Sequence, residues 1–140
     1  MIVRLDHIAV AVPDLSAAIR RFQEDLGLSF EGQEDVAAAQ TRTAFFAVPG
    51  THIELIHPLD GQGPVAGFLE KRGPGLHHLC FETDDIHGDM QRLAAKGYRF
   101  LSAAPSPGAH GSMVVFIHPT SADGVLIELT QRPAHAPAGG

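Results

Sequence analysis

The sequence predicts an α+β fold in which two tandem βαβββ modules form one curved mixed sheet. Three observations predict it: the chain has the length of one domain, it repeats itself once, and each copy sets a helical period between strand-like runs. Leu5-Asp6-His7-Ile8-Ala9-Val10 is matched by Leu76-His77-His78-Leu79-Cys80-Phe81, so His7 pairs with His78. An aspartate lies seven residues beyond each histidine, at Asp14 and Asp85, and a glycine closes each helical pattern, at Gly27 and Gly97. Ile53-Glu54-Leu55 is matched by Ile127-Glu128-Leu129, so Glu54 pairs with Glu128.

The elements follow in order. After His7 the chain alternates as a strand, and Asp14 or Ser16 caps a helix that Gly27 stops. In that helix Leu15, Ala18, Ile19, Phe22 and Leu26 recur at three- and four-residue steps and point inward, leaving Arg20, Arg21, Glu24 and Asp25 outside. Strands at 44–48 and 53–56 are joined through Pro49-Gly50. Residues 61–74, rich in Gly and Pro with a short helix at 65–71, connect module one (1–60) to module two (75–131). The second helix turns Ile86, Met90, Leu93 and Ala94 inward, and strands at 114–117 and 125–129 flank a turn-rich segment beginning at Pro119. Residues 1–131 thus read as one domain. The tail 132–140, nearly all Pro, Ala and Gly apart from Arg132 and His135, is expected to be disordered.

Composition narrows the function. The formal charge is −6 with ten Lys and Arg, which leaves no basic stripe for a phosphate backbone, so nucleic acid is not an expected partner. The longest apolar runs fall far short of the roughly 20 residues that span a bilayer, and the N-terminus lacks the pattern of a secretory signal. No membrane partner and a cytoplasmic location are the expectations. The single cysteine, Cys80, sits in an apolar strand and reads as a core residue.

The repeat points to a metal. A lone histidine on an apolar strand is more often structural than a ligand, but both copies place His on the first strand and Glu on the last, each Glu between branched aliphatic residues. If the copies pack as pseudo-symmetric halves of a curved sheet, His7, Glu54, His78 and Glu128 converge on its inner face. Two imidazoles and two carboxylates suit one divalent ion (Co, Mn, Zn, Ni or Fe) and leave positions open for substrate. His77 should face away from His78 by strand alternation. His110 and Gly111, in the loop Gly108-Ala109-His110-Gly111, are candidate substrate-binding residues, whereas His57 and His118 precede prolines and read as strand ends.

From Leu5 to Thr130 the chain resembles the vicinal oxygen chelate (glyoxalase/bleomycin resistance/dioxygenase) superfamily, and within it most nearly the methylmalonyl-CoA epimerases. Besides the repeat, the resemblance rests on IELIHPL at 53–59, PVAGFL at 64–69, GLHH at 75–78, GAHG at 108–111, FIHP at 116–119 and GVLIELTQ at 124–131. It implies that His7, Glu54, His78 and Glu128 hold the metal, and that the substrate is methylmalonyl-CoA or a similar 2-substituted acyl thioester. The implied reaction inverts the carbon between carboxylate and thioester through an enolate, with Glu128 as one acid/base. A homodimer is the implied assembly. The chain departs from the epimerases at Ala38-Ala39-Gln40-Thr41, where they carry an acidic residue. A glyoxalase I-like lyase or isomerase would use the same four ligands, and a small-molecule-binding resistance-type protein shares the fold.

Overall fold

In the computed structural model, which describes residues 1–134, the repeat becomes two half-sheets joined side by side. Module one runs β1 (Ile2–Ala11), α1 (Leu15–Arg20), β2 (Ser29–Val36), β3 (Thr41–Val48) and β4 (Thr51–Pro58). Helix α2 (Pro64–Arg72) leads into module two, with β5 (Gly75–Thr83), α3 (Ile86–Ala95), β6 (Ser106–Pro107), β7 (Met113–Ile117) and β8 (Ile127–Gln131). All eight strands form one curled sheet in the order β2-β3-β4-β1-β5-β8-β7-β6. Strand β1 runs parallel to β4, and β5 runs parallel to β8. The modules meet where β1 and β5 pair antiparallel at the centre of the sheet.

Strand alternation sends neighbouring residues to opposite faces. On the outer face Leu55, Ala44 and Phe46 pack beneath α1, while Leu129, Val115 and Ile117 form the matching cluster around Ile86 at the start of α3. Glu54 and Glu128, one residue earlier on their strands, therefore face inward. The two aliphatic neighbours of each glutamate are thus accounted for by a helix on the far side of the sheet.

Several expectations need correction. Leu26 is exposed, because α1 runs into a π-helical turn at Arg21–Asp25 in which the Leu26 N–H donates to the Arg21 carbonyl. The extra residue per turn rotates Leu26 outward, and Leu28 packs on the core in its place. Ala94 is also exposed, and α3 buries Asp89 instead. The counterpart of β2 in module two shrinks to the single bridge Phe100–Ile117 plus the two-residue β6. Arg132, expected in a disordered tail, is held by Asp6 and Glu82; residues 135–140, with His135, lie outside the described residues. No helix of the described residues is long and apolar enough to cross a membrane.

Candidate active site

Two irregularities in the central strand pair build the site. The β1–β5 register skips Asp6 between Leu5 and His7, and it skips His77 between Ala9 and Val10. Each skip is a bulge that turns an extra residue toward the concave face. The residue preceding each histidine consequently meets that histidine's ring: Asp6 Oδ2 lies 2.7 Å from His7 Nδ1, and His77 Nδ1 lies 2.8 Å from His78 Nδ1. His77 therefore lines the site beside His78, against the expectation from plain alternation, which a bulge interrupts.

With both Nδ1 atoms occupied, the two Nε2 atoms face each other at 3.1 Å. Glu128 Oε1 completes the triangle, 3.2 Å from His7 Nε2 and 3.0 Å from His78 Nε2. All three residues are buried. Ligands about 2.1 Å from an octahedral ion lie about 3 Å apart in cis positions, so the three donor atoms have the spacing of a divalent metal face. Glu54 also faces inward, but its Oε2 lies 2.9 Å from His7 Nδ1, on the other side of the ring, and it is not part of that close triad. A second cluster, Asp6, His7 and Cys80, is a poorer metal site. The oxygens of Asp6 already serve His7 and Arg132, and burial pushes the fully enclosed Cys80 thiol up.

The charges favour a cation at the triad. Burial alone would push the His7 imidazole down, but Asp6, Cys80, Glu128 and Glu54 overcome it and raise it above its ordinary value. Burial would likewise raise Glu128, yet the His7 and His78 rings hold it below the usual carboxylate range. Asp6 is held down to about 2 by His7 and Arg132 against its burial. His77 is lowered to about 4 by burial and then by His78, which keeps that ring neutral at physiological pH. Three carboxylates thus surround one imidazole, and Arg132 offsets only part of their charge.

The triad forms the floor of a cavity of about 290 Å³. Glu54, His77 and His110 line it too, with the hydroxyls of Thr41, Thr43, Ser112 and Thr130. Gly111 does not: a side chain there would face Pro133. Ala38 and Ala39 lie on the wall, leaving the end of β2 without a carboxylate in the cavity. Sequence reasoning missed Asp6, Thr43, Thr130 and Arg132. The signal for two of them was period two, since Thr130 follows Glu128 by two residues on β8 and Thr43 shares its face with Phe45.

The chain belongs to the glyoxalase/bleomycin resistance protein/dioxygenase superfamily, whose sequence model matches residues 6–116. Several of its relatives within the superfamily are named as epimerases. The ethylmalonyl-CoA/methylmalonyl-CoA epimerase of Cereibacter sphaeroides is 44% identical over 133 residues, covering 94% of this chain and 99% of that one. The crystal structure of methylmalonyl-CoA epimerase from Mycobacterium tuberculosis superposes with a TM-score of 0.90 at 37% identity, over 95% of this chain and 90% of that one. A methylmalonyl-CoA epimerase in complex with methylmalonyl-CoA and NH4+ gives a TM-score of 0.90 at 31% identity, over 96% and 97% of the two chains.

Proposed function

We propose that this chain is an epimerase that interconverts the 2R and 2S forms of methylmalonyl-CoA or a similar 2-substituted acyl-CoA. The observation that carries the reading is the buried triad of His7 Nε2, His78 Nε2 and Glu128 Oε1 on the floor of a cavity, in a chain 44% identical to an epimerase of such thioesters. A divalent ion (Co, Mn, Zn, Ni or Fe) held by His7, His78 and Glu128, with Glu54 turned from His7 Nδ1 to complete the set, would supply a Lewis acid that stabilises negative charge on the substrate's carboxylate and thioester oxygens.

The chain's own residues do the rest. Asp6 and His77 fix the two rings through Nδ1 and so present Nε2 to the cavity. Glu128, kept ionised by the two imidazoles, is the base that takes the α-hydrogen as a proton from one face of the substrate. The hydroxyls of Thr43, Ser112 and Thr130 offer hydrogen bonds to the acyl group, and His110 contacts the substrate from its loop. Gly111 has a φ of 73°, and in this reading it binds substrate indirectly, by letting that loop turn. Lys71 and Arg72 line an adjoining hollow that shares Pro64, His77 and His78 with the cavity, which makes it the route for the coenzyme A phosphates.

The test is to add the chain, supplied with Co or Mn, to a single epimer of methylmalonyl-CoA and follow its circular dichroism. Decay to the signal of the equal mixture is expected. A signal that stays constant with every metal tried would reject this substrate.

A further inference from the structure

We infer that His110 is the second proton carrier of the inversion, acting on the substrate face opposite Glu128, with Glu34 as its positioning residue. This rests on the epimerase reading above. Inversion by proton transfer needs two carriers: one removes the α-hydrogen as a proton, leaving its electron pair in the enolate, and the other returns a proton to the opposite face. Glu128 is one. Apart from His7, Glu54, His78 and Glu128, the charged or titratable side chains lining the cavity among the described residues are Asp6, His77, His110 and Arg132. Asp6 and Arg132 bind each other, Glu54 is engaged by His7 Nδ1 at 2.9 Å, and His77 is committed to His78. His110 is left.

Its position is the right one. Glu128 is paired with Phe116 across β8 and β7, and Glu54 is paired with Phe45 across β4 and β3. The His78 ring packs on Phe116, 5.2 Å between centroids, and the His110 ring packs on Phe45 at 4.5 Å. The two glutamate-phenylalanine pairs are counterparts in the internal repeat, so His110 stands on the module-one wall while Glu128 stands on the module-two wall. His110 reaches that wall although it belongs to module two. Its loop is closed by the Gly108 N–H to the Ser112 carbonyl at 2.9 Å, and by the Ser112 hydroxyl to the Ala109 carbonyl at 2.7 Å.

Glu34, on β2, then receives the loop: both its carboxylate oxygens lie 3.3 Å from the His110 backbone N–H, and Oε1 lies 3.6 Å from Nε2. His110 is held at φ 57°, the left-handed region that a side-chain-bearing residue adopts only when its surroundings impose it. Each turnover moves one proton onto Glu128 and one off the His110 imidazolium, or the reverse, and exchange with water resets both.

The test uses the metal-loaded chain in deuterated water with each epimer supplied separately. In His110→Ala and in the near-isosteric His110→Gln, inversion should fall by about a hundredfold or more, while one epimer still exchanges its α-hydrogen with retention through Glu128. Free imidazole should restore inversion to His110→Ala. Glu34→Ala should show the same one-sided loss to a smaller degree, with exchange at the Glu128 face kept, a selectivity that a general structural defect would not produce. Inversion at the wild-type rate in both His110 variants would overturn the assignment, as would equal loss of exchange from both epimers. A wild-type chain that neither exchanges nor inverts either epimer would remove the epimerase reading itself, and this assignment with it.

Discussion

Asp6 gives one carboxylate oxygen to His7 Nδ1 and the other to Arg132, and Arg4 approaches it from the same side at 3.5 Å. The ring is therefore fixed from behind, with Nε2 free for a metal. Asp6→Asn should weaken cobalt or manganese binding by roughly 10- to 100-fold, measured by calorimetric titration. Unchanged affinity would mean that the ring is oriented without it. The same carboxylates make binding pH-dependent. Burial lowers His7, but hydrogen bonds to Asp6, Cys80, Glu128 and Glu54 outweigh it, so the metal-free ring keeps its proton above the ordinary value of 6.5. A metal must displace that proton, so affinity should rise with pH between about 6.5 and 8, by about tenfold per unit for one proton. A flat profile would contradict a protonated His7 in the empty site. At this scale the inward-facing cluster of His7, Glu54, His78 and Glu128 was legible from the repeat, since like residues recur at like positions, but the place of Glu54 beside His7 Nδ1 rather than in the triad was not. Arg132 was not, because its partner Asp6 lies 126 residues away and only the fold brings them together.

Apart from β2 and β6, for which the sequence offered no bounds, the strands and helices were legible to within a few residues because hydrophobic period and turn chemistry are local. The departures from regularity were not. Two bulges bring Asp6 and His77 onto the concave face, and a π-helical turn rotates Leu26 off the core; in each case one extra residue shifts the phase of everything beyond it. Composition carries no sign of such a shift, since the same residues would suit a regular element. The loop 108–112 shows how tightly an irregular element can be held. A Cβ on Gly108 would lie 2.7 Å from Val114 Cγ1 and 2.8 Å from Ser112 Oγ, so Gly108→Ala must shift either those side chains or the loop that carries His110. Its kcat/KM should fall on the order of ten- to a hundredfold while metal affinity holds, since the triad lies on other strands. Full activity in Gly108→Ala would show that the loop's position is not critical.

The molecule puts its site at its own joint. His7 and Glu54 come from one module and His78 and Glu128 from the other, and the two meet across the single antiparallel pair β1–β5. A metal held there would tie the halves of the sheet together. At a concentration a hundred times its dissociation constant it should add about 2.7 kcal/mol of stability, visible in calorimetry as a raised Tm. In Glu128→Ala that rise should shrink or vanish; an equal rise would place the ion elsewhere. The measurement that tests the central claim most directly is deuterium uptake at the α-carbon of a single methylmalonyl-CoA epimer, read by mass spectrometry alongside its inversion, in the wild type and in Glu128→Ala. The account predicts that label and inversion appear together in the wild type and that inversion is lost in the variant. Inversion without label from solvent, or undiminished inversion in Glu128→Ala, would contradict it.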